Sequence, residues 1–352
     1  MTPSWFKPRI PNNMQKKRIA INGFGRIGKH TLRILLSRFY DTHEVIAINA
    51  PQISSEDVAY LTNYDSVYGS FEEFDVVGKE NFLYVTREGE DTVHRIQLFD
   101  TFDANTLPWK DLDIDVVVDC SGAYKTKLAA EAHIISGAKK MVISAPVKDP
   151  EIMTRVIGAN AEELHETIFS NASCTTNATA TVLSVLSVHD IQFVSGVTAH
   201  AYTQSQALLD KEAHKGLREG RAAALNIIPT TTGAASAVEQ VLPYLAGKID
   251  LMSLRVPVPA GSVVYLNIEL AQDTTSEIIN KLFKSASENS HKDILFYTEE
   301  ELVSSDIVGT PYSGIIDGLS TSVNGKHVRL VVWYDNEWGY TNRLVEMAVR
   351  VA

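Results

Sequence analysis

The stretch RIAINGFGRIGKHTLRILLSRF, from Arg18 to Phe39, decides how the first half of the chain folds. It begins with a short, mainly apolar run, Arg18–Asn22, that is typical of a buried strand. Apolar residues then recur at helical spacing, at Ile27, Leu32, Leu35, Leu36 and Phe39. Between strand and helix lies G-x-G-x-x-G, formed by Gly23, Phe24, Gly25, Arg26, Ile27 and Gly28. Glycines allow a tight turn and close approach to the backbone, and a helix N-terminus attracts a pyrophosphate. The stretch therefore predicts a dinucleotide-binding unit, with a plain glycine turn as the alternative.

The rest of the chain falls into two parts that differ in their pattern of apolar and β-rich segments. Three further apolar runs follow in the first half: His43–Ala50, Ile114–Gly122 and Lys139–Pro146. Such runs suit parallel strands buried on both faces, and their alternation with helices predicts a doubly wound α/β domain up to about residue 173. After Cys174, long β-rich segments are separated by two helical stretches. They predict an α+β catalytic domain with a mixed, largely antiparallel sheet.

Composition and charge narrow the class of protein. At 352 residues, with 45% apolar and 21% charged residues, the chain suits a soluble protein of two domains. A net charge of −11 argues against nucleic acid as the primary partner. The two cysteines, Cys120 and Cys174, have no metal-ligand spacing, so we expect no metal site and a cytoplasmic location. No apolar run approaches the roughly 20 residues of a membrane span. Residues 1–16 lack the apolar core of a secretory signal and are expected to form an irregular extension.

A cysteine stands where a helix is predicted to begin, in FSNASCTTNATA, Phe169–Ala180. The positive end of the helix dipole is expected to lower the pKa of the Cys174 thiol. Small hydroxyl residues surround it, and His200 in TAHAYTQSQ offers a base on another element. Taken singly, a cysteine is more often a small buried apolar residue and a histidine an ordinary core residue. Their combination with the dinucleotide loop favours a catalytic pair.

The motifs INGFGRIG, SAPVKD, SNASCTTN, HAYT, NIIPTTTGAA, RVPVP and WYDNEWGYTNR follow one another in that order. Together they resemble the phosphorylating glyceraldehyde-3-phosphate dehydrogenase family from Arg18 onward. The resemblance implies reversible oxidation and phosphorylation of glyceraldehyde 3-phosphate to 1,3-bisphosphoglycerate, in glycolysis or gluconeogenesis. It makes Cys174 the nucleophile, through a hemithioacetal and a thioester, and His200 the base, with hydride transfer to NAD(P). It also implies a homotetramer.

The resemblance assigns further residues. It implies a dinucleotide-binding domain over residues 17–173, a catalytic domain over 174–337, and a last helix, 338–352, that packs back on the first domain. Besides the glycine loop, it implies that Ser144 and Asn336 bind the cofactor. It implies that Thr203 and Arg255 bind the phosphate of the substrate, and that the attacking phosphate is bound by Ser173, Thr175, Thr232 and Gly233.

Three positions depart from the family pattern. The acidic residue expected to bond the adenosine ribose 2′-OH at the end of the second strand is replaced by Ala50. Ala213 stands where NAD-specific members usually carry a proline, and Phe102 where many members have an arginine on the adenine side. We therefore expect NADP or NAD as cofactor, with NADP use suggested by Ala50 and Ala213. The alternative functions are erythrose-4-phosphate dehydrogenase and a non-catalytic binding role.

Overall fold

The structure is a computed structural model that describes residues 15–212 and 216–352. The described strands are β1 (Lys17–Asn22), β2 (His43–Asn49), β3 (Phe74–Lys79), β4 (Phe82–Arg87), β5 (Val93–Phe99), β6 (Val116–Asp119), β7 (Lys140–Ile143), β8 (Met153–Thr154), β9 (Ile168–Ser170), β10 (Ile191–Ala201), β11 (Ile228–Thr230), β12 (Ile249–Val256), β13 (Ser262–Leu270), β14 (Leu295–Thr298), β15 (Gly314–Asp317), β16 (Ser322–Asn324) and β17 (His327–Tyr334). The described α-helices are α1 (Arg26–Phe39), α2 (Ser55–Asn63), α3 (Lys127–Ile135), α4 (Cys174–Leu186), α5 (Ala234–Val241), α6 (Ser276–Glu288), α7 (Ser304–Ile307) and α8 (Trp338–Val351).

The described chain forms two compact units. The first unit contains the residues up to Met153 together with Leu164–Asn171 and Thr341–Ala352. The second unit contains Thr154–Glu163 and Ala172–Tyr340. The glycine loop thus lies in the first unit and Cys174 in the second. Of the extension expected at residues 1–16, residues 1–14 lie outside the described residues.

The sheet of the first unit has the strand order β3-β4-β5-β2-β1-β6-β7-β9-β8. The six strands from β5 to β9 run parallel, and β3 and β4 extend them as an antiparallel meander. From β1 the chain builds outward first through β2 and later through β6, so the strand order reverses between β1 and β6. Dinucleotides bind at such a reversal, beyond the carboxyl ends of the strands. The predicted doubly wound α/β fold is confirmed.

A buried carboxylate anchors the start of α1 in the first unit. The side chain of Asp65 is fully buried and accepts hydrogen bonds from Lys29 and, at 2.5 Å, from Arg26. The backbone N–H groups of Val67 and Tyr68 donate to its other oxygen at 2.8 and 3.0 Å. Burial raises the pKa of Asp65, but these hydrogen bonds and the Arg26 charge outweigh it and hold the pKa well below its usual range. The dinucleotide loop is therefore tied through α1 to the segment after α2.

Replacing Asp65 with asparagine is expected to lower the free energy of unfolding by about 3 kcal/mol, because Lys29 and Arg26 would lose their buried counter-charge. Urea unfolding followed by circular dichroism measures the change. The control is Asp113→Asn, at an exposed pair with Lys139, where the loss should stay below about 1 kcal/mol. Since the Asp65 pKa is depressed, its contribution is present above the ordinary pKa of about 3.9 and is lost as the pH falls below that value. Equal losses in the two variants at pH 7 would contradict the prediction.

The second unit is built on a mixed sheet with the order β11-β12-β10-β13-β17-β15-β14, and β16 pairs with β17. Strands β10 and β12 are parallel, as are β14 and β15, whereas β13 pairs antiparallel with both β10 and β17. Helices α4, α5 and α6 pack on it through buried side chains such as Leu183, Val238 and Phe283. The predicted mixed sheet is confirmed. Within the described ranges, no helix combines the length and the apolar character needed to cross a membrane.

Candidate active site

The thiol of Cys174 is presented by the first residue of α4. Ser173 caps this helix, since its Oγ accepts a hydrogen bond from the Thr176 N–H at 3.1 Å. Just before the cap, Ala172 is fully buried and has a positive φ of 56°, a left-handed conformation that is rare for alanine. The hydroxyl of Tyr340 donates to the Ala172 carbonyl at 3.1 Å. A sharp, buried turn therefore precedes the helix and fixes the position of the Cys174 backbone.

His200 lies beside the thiol, near the end of β10. Its Nε2 is 3.3 Å from the Cys174 Sγ, and the residue is buried. Its Nδ1 is 2.7 Å from the Ala201 carbonyl oxygen and 2.5 Å from Nη1 of Arg255, the register partner of His200 on β12. These two contacts require opposite states of Nδ1: the carbonyl accepts from Nδ1–H, whereas the guanidinium donates to its lone pair. When Arg255 donates to Nδ1, the ring proton is on Nε2 and faces the sulfur. When Nδ1 donates to Ala201, Nε2 is free to accept the thiol proton.

The electrostatics of this pair differ from the sequence-based expectation. Burial raises the pKa of the Cys174 thiol, against the lowering effects of Arg255 and of the Thr175 hydroxyl and N–H. Burial, reinforced by the Arg255 charge, lowers the pKa of His200 to about 3. The expectation that the helix N-terminus leaves the Cys174 pKa lowered is wrong, because the loss of hydration outweighs the effect of the helix N-terminus. At neutral pH the pair is an uncharged thiol beside an uncharged imidazole.

Alkylation of ligand-free protein by iodoacetamide tests this balance. The rate should rise with pH to a midpoint above the ordinary thiol value of about 8.5, since the pKa of Cys174 is raised. Arg255→Gln should move the midpoint further up, because the guanidinium favours the thiolate. Cys174→Ser is the control and should not be labelled, since burial raises the pKa of Cys120, the other cysteine, to about 12. A wild-type midpoint below 8.5 would mean that the helix N-terminus and Arg255 together outweigh burial.

Two hydrogen-bonded chains hold the surroundings of the pair. The Thr175 hydroxyl is 2.9 Å from the Tyr334 hydroxyl, which is 2.7 Å from the Thr198 hydroxyl on β10. In the other, Ser262 Oγ accepts from the Ala201 N–H at 3.1 Å and donates to Asn336 Oδ1 at 2.9 Å. The structure thus joins Thr175 and Asn336 to the strands around His200. Sequence reasoning missed Tyr334 and Ser262. Nothing in the sequence of an apolar strand indicates that a hydroxyl in it bridges neighbouring elements by hydrogen bonds.

The other predicted phosphate ligands lie on separate loops. Thr203 follows β10, and its hydroxyl is 3.0 Å from both the Ser205 hydroxyl and Gln206 Oε1. Thr232 and Gly233 precede α5, where the Thr232 hydroxyl accepts from the Ala234 N–H at 3.1 Å. The side chains of Thr203 and Thr232 bond residues close by in sequence, whereas Cys174 contacts His200 and His200 contacts Arg255 across separate elements.

In the first unit, the glycine loop has the geometry that a pyrophosphate needs. Gly23 has φ +89°, and a Cβ there would lie 2.6 Å from the backbone nitrogen of Ser121. A Cβ on Gly28 would lie 2.1 Å from the Gly23 carbonyl oxygen. Gly25 precedes the 14-residue helix α1 without any side-chain cap, which leaves the N–H groups of the first turn available to an anion. Only glycine fits at positions 23 and 28, so the loop suits a dinucleotide.

The remaining predicted cofactor residues lie around that loop. Phe24 is buried and Ile27 half-buried, while Arg26 is held by Asp65. Ser144 directly follows β7, and its N–H donates to the Asp119 carbonyl at 2.9 Å. Ala50 directly follows β2 and is buried, whereas Ala213 lies outside the described residues.

A buried polar chain at the carboxyl ends of three strands escaped the sequence reasoning. Asn22 Nδ2 donates to Asp119 Oδ1 at 2.8 Å, and Asn49 Nδ2 donates to Asn22 Oδ1 at 2.8 Å. All three are buried, and burial raises the pKa of Asp119. Each is the last residue of its strand, and a polar residue at that position was the sequence signal that could have identified them. These hydrogen-bonded side chains link β2, β1 and β6 where a dinucleotide would lie.

An anion-binding glycine loop on a doubly wound sheet, in a chain that also holds a thiol–imidazole pair, is typical of a nicotinamide-dependent dehydrogenase. Comparison with known protein families agrees. The model described as "Glyceraldehyde 3-phosphate dehydrogenase, NAD binding domain" matches residues 17–127, and "Glyceraldehyde 3-phosphate dehydrogenase, C-terminal domain" matches residues 173–336. The chain belongs to the glyceraldehyde-3-phosphate dehydrogenase family, which confirms the resemblance read from its motifs.

Curated relatives match over nearly the full length. The chain is 42% identical over 343 residues to glyceraldehyde-3-phosphate dehydrogenase 2 of Bacillus subtilis, covering 96% of this chain and 97% of the relative. It is 44% identical over 341 residues to glyceraldehyde-3-phosphate dehydrogenase of Streptomyces coelicolor, covering 95% and 98%. It is 41% identical over 345 residues to glyceraldehyde-3-phosphate dehydrogenase 4 of Caenorhabditis elegans, covering 96% and 99%.

Proposed function

We propose that the chain oxidises glyceraldehyde 3-phosphate in the presence of inorganic phosphate and releases 1,3-bisphosphoglycerate. The observation that carries this proposal is the 3.3 Å contact between Cys174 Sγ and His200 Nε2 at the start of α4. Acyl transfer through a thiol requires a nucleophile with a base in hydrogen-bond reach. The names of the curated relatives supply the substrate.

The proposed reaction begins when the Cys174 sulfur forms a bond to the aldehyde carbon and its proton passes to His200 Nε2. The imidazolium then donates to the oxygen of the hemithioacetal, supported by the Cys174 backbone N–H. A nicotinamide held at the glycine loop would supply the acceptor for the hydride of the same carbon, and the loss of this hydride would convert the hemithioacetal into a thioester. An oxygen of inorganic phosphate attacks this thioester, the carbon–sulfur bond breaks, and the sulfur leaves as a thiolate.

Two anion sites are part of the proposal. Thr203 and Arg255 are assigned to the phosphate of the substrate, and Ser173, Thr175, Thr232 and Gly233 to the attacking phosphate. An anion at Arg255 would draw the guanidinium from His200 Nδ1 and free that nitrogen to donate to Ala201. His200 would then accept the thiol proton through Nε2, so binding of the phosphorylated substrate would itself prepare the base.

The cofactor is assigned to the glycine loop, with Ser144 and Asn336 as further contacts. Because Asn336 Oδ1 accepts from Ser262, its amide nitrogen remains as the donor for a carboxamide oxygen. The dinucleotide-binding domain is assigned to residues 17–173 with the last helix, 338–352, and the catalytic domain to 174–337. A homotetramer in the cytoplasm completes the proposal. The NADP use suggested by Ala50 and Ala213 depends on which groups face the 2′ position of the adenosine ribose.

The test is the formation of reduced dinucleotide at 340 nm with glyceraldehyde 3-phosphate or erythrose 4-phosphate, with and without inorganic phosphate. The proposal expects higher kcat/KM with the triose phosphate and a marked dependence on inorganic phosphate. Preferential turnover of erythrose 4-phosphate would replace the proposed function by that alternative. Absence of turnover with both sugars, from protein that is folded by circular dichroism, would favour a non-catalytic role.

A further inference from the structure

A carboxylate stands next to the position where the expected acidic residue is missing. Strands β2 and β5 are parallel neighbours with Asn49 opposite Phe99, so the following residues, Ala50 and Asp100, leave the sheet side by side. The Ala50 N–H still donates to the Phe99 carbonyl at 2.9 Å, which keeps the two chains together to that point. Neighbouring strands lie about 4.8 Å apart. Asp100 therefore begins about one strand spacing from the residue it would replace.

The side chain of Asp100 is directed toward the chain that follows Ala50. Its Oδ1 accepts a hydrogen bond from the Gln52 N–H at 2.8 Å. Gln52 has a φ of +64°, and the Ile53 N–H donates to the Ala50 carbonyl at 3.2 Å, so Ala50–Ile53 is a tight turn. Asp100 is exposed, and in the described chain its Oδ2 makes no hydrogen bond. One oxygen holds the turn after β2, and the other remains available to a ligand.

This is the place where a doubly wound sheet receives the adenosine ribose. An acidic residue at the end of the second strand normally accepts the ribose 2′-OH, and that strand is β2 here. We propose that Asp100, from the neighbouring strand, is the residue that determines dinucleotide specificity: it accepts the 2′-OH of NAD and repels the 2′-phosphate of NADP. The proposal rests on the dinucleotide binding proposed above. It reverses the preference that Ala50 suggests when it is considered alone.

A purely structural role for Asp100, as the cap of the Ala50–Ile53 turn, can be separated by experiment. In Asp100→Asn, the side-chain amide oxygen still accepts from Gln52, so the turn is kept while the negative charge is removed. The matched control is Asp103→Asn. Asp103 lies three residues further along the same exposed loop and accepts from the Asn105 N–H at 3.0 Å. Both variants lose one negative charge and keep one local hydrogen bond.

Isothermal titration calorimetry of the full chain gives dissociation constants for NAD, NADP and NAD lacking the adenosine 2′-hydroxyl. The wild type should bind NAD at least about 10-fold more tightly than either analogue, as is typical of a charge-assisted hydrogen bond. Asp100→Asn should reduce both ratios by about 10-fold, and Asp103→Asn should leave them unchanged. Unchanged ratios in Asp100→Asn, or tighter binding of NADP by the wild type, would overturn the inference but not dinucleotide binding. Failure of the wild type to bind NAD and NADP would overturn both.

Discussion

Cys174→Ala is expected to lower kcat for aldehyde oxidation by about 10⁴-fold or more, because the proposed covalent intermediate forms on this sulfur. Cys174 begins α4 next to His200, whereas Cys120, the other cysteine, lies in the first unit beside Thr31. The variant should still bind dinucleotide, since the glycine loop is untouched. Formation of reduced dinucleotide at 340 nm measures the rate, and calorimetry measures the binding.

The matched control for this loss is Cys120→Ala. Its thiol is 3.6 Å from the Thr31 hydroxyl, and burial raises its pKa to about 12, so it stays protonated and unreactive. Its removal should leave kcat within about twofold and lower stability by about 1 kcal/mol. Retained activity in Cys174→Ala, or an equal loss in Cys120→Ala, would remove Cys174 from the role of nucleophile.

His200→Asn is expected to lower kcat by about 10²- to 10⁴-fold, the range lost when a positioned base is removed. The rate of the variant should also rise more steeply with pH than that of the wild type, since the thiol must then lose its proton to solvent. His327→Asn is the control, because His327 is exposed on β17. An unchanged pH profile in His200→Asn would show that His200 only packs against the thiol.

The first sheet was predictable because its signals are local. The glycine loop, the apolar strands and the helical periodicity are all read within some twenty residues, and together they predict a doubly wound parallel sheet. The partner of the loop was not predictable in this way. Asp65 lies 39 residues from Arg26 and reaches it only after α1 and α2 have packed. In the same way, Asp100 stands beside Ala50 only because β5 pairs with β2.

In the second unit, the sequence indicated candidate residues but not how they contact one another. The thiol at a helix start and the imidazole after a β-rich run were both evident. The contact of Arg255 with His200 depends on the parallel pairing of β10 and β12, across 55 residues of sequence. The predicted direction of the Cys174 pKa shift was wrong. The shift depends on how much hydration the thiol loses in the folded protein, and no local sequence pattern indicates that loss.

The left-handed backbone at Ala172 affects both the stability of the protein and the orientation of the Cys174 thiol. An alanine held in the left-handed region costs about 1 to 2 kcal/mol, which glycine would avoid. Glycine would also allow the backbone at position 172 many more φ/ψ conformations. The chain thus accepts a slightly lower free energy of unfolding in return for a fixed peptide before Cys174. In the proposed reaction, the sulfur would therefore approach each aldehyde from one constant direction.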